Sequence, residues 1–164
     1  RVAAAKVVVG GAGGGALAAR AEESGRPLPG SSVDEAIIQE VAASSFTELQ
    51  VFKSPLAAFP VEKRDLVIHQ IVILCGSEGC LQLEYFVGGV HYQWKHKPEV
   101  HRKGAQLVDC LALGPLPGEP VARVLQQWLG ADVQQEGSHT CIYFAMAVVE
   151  ACGVWSARLA SHFA

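Results

Sequence analysis

The sequence predicts a single α+β domain with an antiparallel sheet of about four strands packed against helices, a two-layer arrangement around one core. Three observations carry that expectation. Apolar runs of strand length follow one another between Leu66 and Trp94, separated by short glycine-containing turns that join neighbours antiparallel. Segments with helix caps and helical apolar spacing flank that block on both sides. At 164 residues, half of them apolar, the chain is long enough for one proper core and too short for two comfortable ones.

In chain order, residues 1–30 are rich in Ala and Gly and predict a flexible leader, cheap to leave unordered because of glycine's backbone entropy. Val7-Val8-Val9 followed by Gly11-x-Gly13-x-x-Ala16 has the outline of a dinucleotide fingerprint. The second strand ending in an acid is missing, however, and Gly25-Arg26-Pro27-Leu28-Pro29-Gly30 stands in its place. The apolar run between Lys6 and Arg20 falls short of the roughly 20 residues a helix needs to cross a bilayer. The domain proper is expected over 31–164. Ser32 and Glu35 have capping-box spacing, and Val33, Ile37 and Val41 continue at helical intervals, which predicts a helix ending near Ser44. Residues 46–65, with Pro55, Pro60 and the charged turn Glu62 to Asp65, read as a short extended piece and then a loop.

The core is expected to run from residue 66 to 153. Leu66 to Cys75 is apolar on both alternating faces apart from His69 and Gln70, so it should be a central strand. Cys80 to Val87 returns from a hairpin loop with Leu81, Leu83, Tyr85 and Val87 on one face, and Val90 to Trp94 is a third strand. A basic, His-containing loop leads to a fourth strand over Gln106 to Leu113. Pro120 opens a helix running to Gly130. A polar loop then delivers the chain to a last helix that begins around Ser138 to Cys141 and ends at Gly153.

The totals narrow the functional classes. A net charge of −3 gives no broad basic surface for a phosphate backbone, so nucleic acid is not expected as a partner. Five cysteines is an odd number, and their spacings fit neither a stapled mini-protein nor a standard zinc module. Reduced thiols and a cytoplasmic location are expected, with no metal and no cofactor. The sequence starts at Arg1 and so reads as a processed product or an excised piece.

The chemistry centres on Cys141. A thiol on the first turn of a helix lies among unpaired N–H groups and the positive end of the helix dipole, which stabilise a thiolate and later an oxyanion. It needs a base, and His69, a histidine interrupting a buried strand, is the candidate. If that strand packs against the helix start, a thiolate–imidazolium pair forms near neutral pH and attacks a carbonyl carbon. Gln70, beside the base, and Thr140 and His139, beside the nucleophile, are candidates to orient the site or hold the oxyanion. His91 and Trp94, on the third strand next to the basic loop, are candidates to line a substrate groove. In isolation a buried cysteine or histidine is more often a packing residue than a catalyst, and Cys110 and Cys152 read that way. Cys75 and Cys80 bracket the hairpin loop and are placed to face each other.

His69-Gln70-Ile71-Val72-Ile73, the aromatic and Gly-Gly stretch Glu84 to Val90, and Thr140-Cys141-Ile142-Tyr143-Phe144 resemble the circularly permuted papain-fold cysteine hydrolases, in which the histidine strand precedes the cysteine helix. The PPPDE group of desumoylating and deubiquitinating isopeptidases is the nearest in pattern, and the lecithin:retinol acyltransferase-like and NlpC/P60-like proteins are similar. The resemblance covers residues 66–153. It implies a permuted papain-like fold and hydrolysis of ubiquitin-like conjugates by a Cys141–His69 dyad through an acyl-enzyme. The alternatives it implies are a thiol acyltransferase or lipid hydrolase, or a catalytically inactive protein-binding module. PPPDE proteins usually carry Asn just before the nucleophile, where this chain has Thr140. His139 matches a histidine common in the group, and His91 is the available occupant of the second histidine position of the acyltransferases.

Overall fold

A computed structural model describes residues 30–55, 68–86, 89–129 and 139–164; the glycine-rich leader and Ser138 lie outside them. The described chain runs β1 (Ser31–Ser32), α1 (Glu35–Ala42), β2 (Ser45–Pro55), β3 (Ile68–Gly76), β4 (Gly79–Phe86), β5 (Gly89–Lys95), β6 (Gln106–Pro117), α2 (Glu119–Trp128), α3 (His139–Ala151) and α4 (Ala157–Phe163). The strands form one six-stranded sheet in the order β1-β5-β4-β3-β2-β6, with every pair antiparallel. The α+β class and the central position of β3 match expectation. The strand count does not.

Strand β2 accounts for most of the difference. Where a short extended piece and a loop were expected over residues 46–65, eleven residues form a full strand between β3 and β6. Its core residues Phe46 and Leu49 are both buried although an odd number of positions separates them, which breaks the period-two signature. A register shift between Phe46 and Glu48 restores the phase, as a bulge does. Strand β6 also runs past its expected end at Leu113 to Pro117. As the edge of the sheet, with β2 on one side alone, it tolerates Pro115 and Pro117.

The helices follow from local capping. Asp34, not Ser32, caps α1: its carboxylate accepts the Ile37 N–H at 3.0 Å, while Ser32 is taken into β1. Gly118 turns the chain from β6 into α2 so close to α1 that a Cβ there would stand 1.8 Å from the Val41 carbonyl oxygen. Gly153, at φ +69°, ends α3 in the left-handed region. Helix α4 has no counterpart among the expected elements. Ser156 caps it by accepting the Leu159 N–H at 3.1 Å, and the same hydroxyl donates to Asp109 of β6.

Buried residues of all four helices, among them Val41, Leu125, Phe144 and Leu159, join Leu49, Val51, Val72, Leu74, Leu81 and Leu83 in one cluster. The helices therefore cover one face of the sheet, here the helical face. On the second face Ile71, Ile73 and Cys80 form a smaller cluster with Phe52, Cys75 and Val100, and no helix residue enters it. Cys75 and Cys80, directly opposed in the β3–β4 register, are joined as a disulfide. That corrects the expectation of uniformly reduced thiols; Cys110, Cys141 and Cys152 remain thiols. Among the described residues no helix is long and apolar enough to cross a membrane.

Candidate functional site

Successive side chains of a strand leave on opposite faces, and β3 applies this rule to its two polar residues. His69 shares a face with Ile71 and Ile73; Gln70 shares one with Val72 and Leu74. His69 is thereby turned to the second face and Gln70 to the helical face.

On the second face, β4 brings Glu84 opposite Ile71, and the Glu84 carboxylate gathers the polar groups around it. His69 Nε2 lies 2.7 Å from Oε2, and Arg102 binds both oxygens, Nη1 to Oε2 at 2.7 Å and Nη2 to Oε1 at 3.2 Å. Gln82 donates to Oε1 as well. Phe86 stacks on the His69 ring at 4.6 Å between centroids, and the Arg102 guanidinium stands 5.9 Å from the centre of the same phenyl ring. Burial alone would push the Glu84 carboxyl up. The hydrogen bonds from His69 and Arg102 and the guanidinium charge outweigh it and hold the pKa at about 2. The result is a carboxylate that stays ionised at any ordinary pH, with the imidazole committed to it. His69, Gln82 and Glu84 are all buried. Such a network fixes the loop bearing Arg102 to the sheet.

On the helical face, the first turn of α3 sets Cys141 against β3. The sulfur donates to the Ile68 carbonyl oxygen at 3.7 Å, and the backbone N–H groups of Gln70, Ile142 and Cys141 approach it. The thiol is 5% exposed. Burial pushes its pKa up, those N–H groups pull it down, and burial prevails. A helix start surrounded by amides was the expected setting. A thiol that holds its proton was not.

The fold thus brings the cysteine helix onto the histidine strand, touching the backbone on both sides of His69, and leaves the imidazole on the other side of the sheet. The expected Cys141–His69 pair is not formed, and the reason is the two-residue period of β3. Gln70 is the β3 side chain on the cysteine's face, but its Oε1 accepts from His162 Nε2 of α4 at 2.8 Å. Its backbone N–H, rather than its amide, is the group near the sulfur. His139 and Thr140 form the opening of α3, and their side chains lie outside the described set. His91, across from Glu84 in the β4–β5 register, packs edge-on against Phe86 at 5.3 Å, and its Nε2 lies 3.4 Å from the Ser32 hydroxyl. Trp94 packs against the main core instead of lining a groove on the face of His91.

Glu84, Arg102 and His162 were missed as members of polar clusters. Glu84 falls on the polar side of an alternating strand, opposite Ile71 and so diagonal to His69 across the hairpin, and an acid in that place beside a strand-borne histidine was a signal. Arg102 and His162 gave none, since long-range packing selects them. Among the described residues no group of three or more His, Cys, Asp or Glu side chains is placed to hold a metal ion.

In comparisons with protein-family models, curated proteins and solved structures, nothing matches this chain.

Proposed function

We propose that this chain is a binding domain on a scaffold with the element order of a permuted papain fold, engaging a protein partner such as a ubiquitin-like modifier without cleaving it. The observation that carries the proposal is the separation of the two side chains a thiol hydrolase needs. His69 is spent on Glu84 on one face, and Cys141 is a buried, protonated thiol on the other. A nucleophilic cysteine requires a base turned toward it and a lowered pKa; His69 is turned to Glu84 instead, and burial raises the Cys141 pKa rather than lowering it.

A second reading keeps the enzyme. The sulfur lies 3.7 Å from the carbonyl of the residue before His69, and the amide of the residue after it approaches the same sulfur. Turning the imidazole through the start of β3 would then assemble a hydrolase of ubiquitin-like conjugates, or an acyltransferase, with Cys141 as nucleophile.

A ubiquitin-like propargylamide probe, which captures an active-site thiolate, separates them. The binding-domain proposal expects no adduct on Cys141, with saturable association of the unmodified modifier seen by calorimetry. An adduct that maps to Cys141 and is lost in Cys141→Ala overturns it in favour of the hydrolase.

A further inference from the structure

Helix α4 packs beside β6 at the sheet's end and leaves a shallow, open depression of about 510 Å³ between itself and the ends of β2 and β6. Its walls carry Lys53 from β2 and Arg158, Ser161 and His162 from α4, while Leu107 and Val108 of β6 supply an apolar strip. Among the described residues no acidic side chain lines it, and no carboxylate is within ion-pair distance of Lys53 or Arg158. Asp109 feels the Arg158 charge, but its carboxylate already accepts from Ser156 and from the Cys110 N–H. Leu107, 51% exposed, is among the few large apolar side chains left open to solvent, and it stands on this wall.

We infer that this cleft binds a small phosphomonoester, its phosphate between Lys53 and Arg158 and its organic part along Leu107 and Val108. Arginine supplies a planar fork of donors for phosphate oxygens and lysine a point charge, a pairing suited to a dianion. Ser161 adds a hydroxyl donor. His162 completes the set: with Nε2–H given to Gln70, Nδ1 is the nitrogen left to take up a proton and donate to the anion. Burial and the Lys53 charge hold the His162 pKa below the ordinary histidine value. A bound dianion offsets the lysine and favours the imidazolium. The groups that face His162 in this balance are Lys53 and Gln70 from the sheet and Arg158 and Ser161 from its own helix.

The test is a proton NMR titration of His162, assigned by comparison with His162→Gln, in the presence of inorganic phosphate, glycerol 2-phosphate or acetate at matched ionic strength. Glycerol 2-phosphate should bind saturably, more tightly than inorganic phosphate and far more tightly than acetate, and should raise the His162 midpoint. The surface variants Lys53→Gln and Arg158→Gln should each weaken binding on the order of tenfold, while Lys95→Gln, on the far side of the sheet, should not. A His162 midpoint that ignores all three anions, or shifts that acetate and phosphate produce equally, would overturn the proposal. So would a monoester that binds no better than free phosphate, or Lys53→Gln and Arg158→Gln proteins that bind as the parent does.

Discussion

Glu84 and His69 meet across the β3–β4 hairpin at 2.7 Å, and that contact determines what His69 is available to do. The carboxylate also receives both guanidinium nitrogens of Arg102, so it is a buried, fully bonded anion rather than a partner to be exchanged.

Acid should therefore unfold the domain through Glu84. The folded-state pKa of about 2 lies below the ordinary value of 4.5, so the group contributes stability that is complete above pH 4.5 and is lost as pH falls from there toward 2. At about 1.36 kcal/mol per pKa unit the contribution is roughly 3 kcal/mol. Glu84→Gln leaves Arg102 without its counter-charge and should cost about 3–5 kcal/mol at pH 7. Urea titrations between pH 7 and pH 2.5 check both effects: the parent should lose stability across the acid range, and the variant should show a much flatter profile.

The Cys75–Cys80 disulfide closes a short loop, with a sequence separation of five residues, so its entropic contribution is modest. The loop-closure relation gives about 2 kcal/mol. Replacing both cysteines with serine should lower stability by about that amount in thermal unfolding while leaving the circular dichroism spectrum intact. A loss of folding would mean that the hairpin contributes far more than chain entropy.

Gly118 is required by space rather than by backbone angle. Its φ is −72°, open to any residue, yet a Cβ would stand 1.8 Å from the Val41 carbonyl. Gly118→Ala should force α1 and α2 apart and destabilise by about 1–3 kcal/mol, the usual range for overpacking. Gly114→Ala, where a Cβ would meet nothing within 4 Å, is the control and should be close to neutral.

The fold class was legible because it rests on alternation and turns. Leu81, Leu83 and Tyr85 on one face of β4, and the glycine-containing turn before it, give the hairpin directly. Strand β2 was illegible because a bulge shifts the phase between Phe46 and Leu49, and Pro55 marks its end rather than its absence. The capping of α1 went to Asp34 because β1 claims Ser32, a pairing across 59 residues that no local window contains. The meeting of Cys141 with the His69 strand was readable from the order of elements. The face on which each side chain emerges was not: a one-residue change in phase exchanges the two faces, and Gln70 and His69 are neighbours.

The pH dependence of Cys141 alkylation by iodoacetamide, followed by peptide mass mapping, tests the separation of thiol and imidazole most directly. The structure predicts slow labelling at neutral pH, a rate that climbs through a midpoint above that of an ordinary cysteine, and the same curve in His69→Gln. A fast plateau already reached below pH 7 in the parent protein, and abolished by His69→Gln, would reveal a thiolate–imidazolium pair and contradict it.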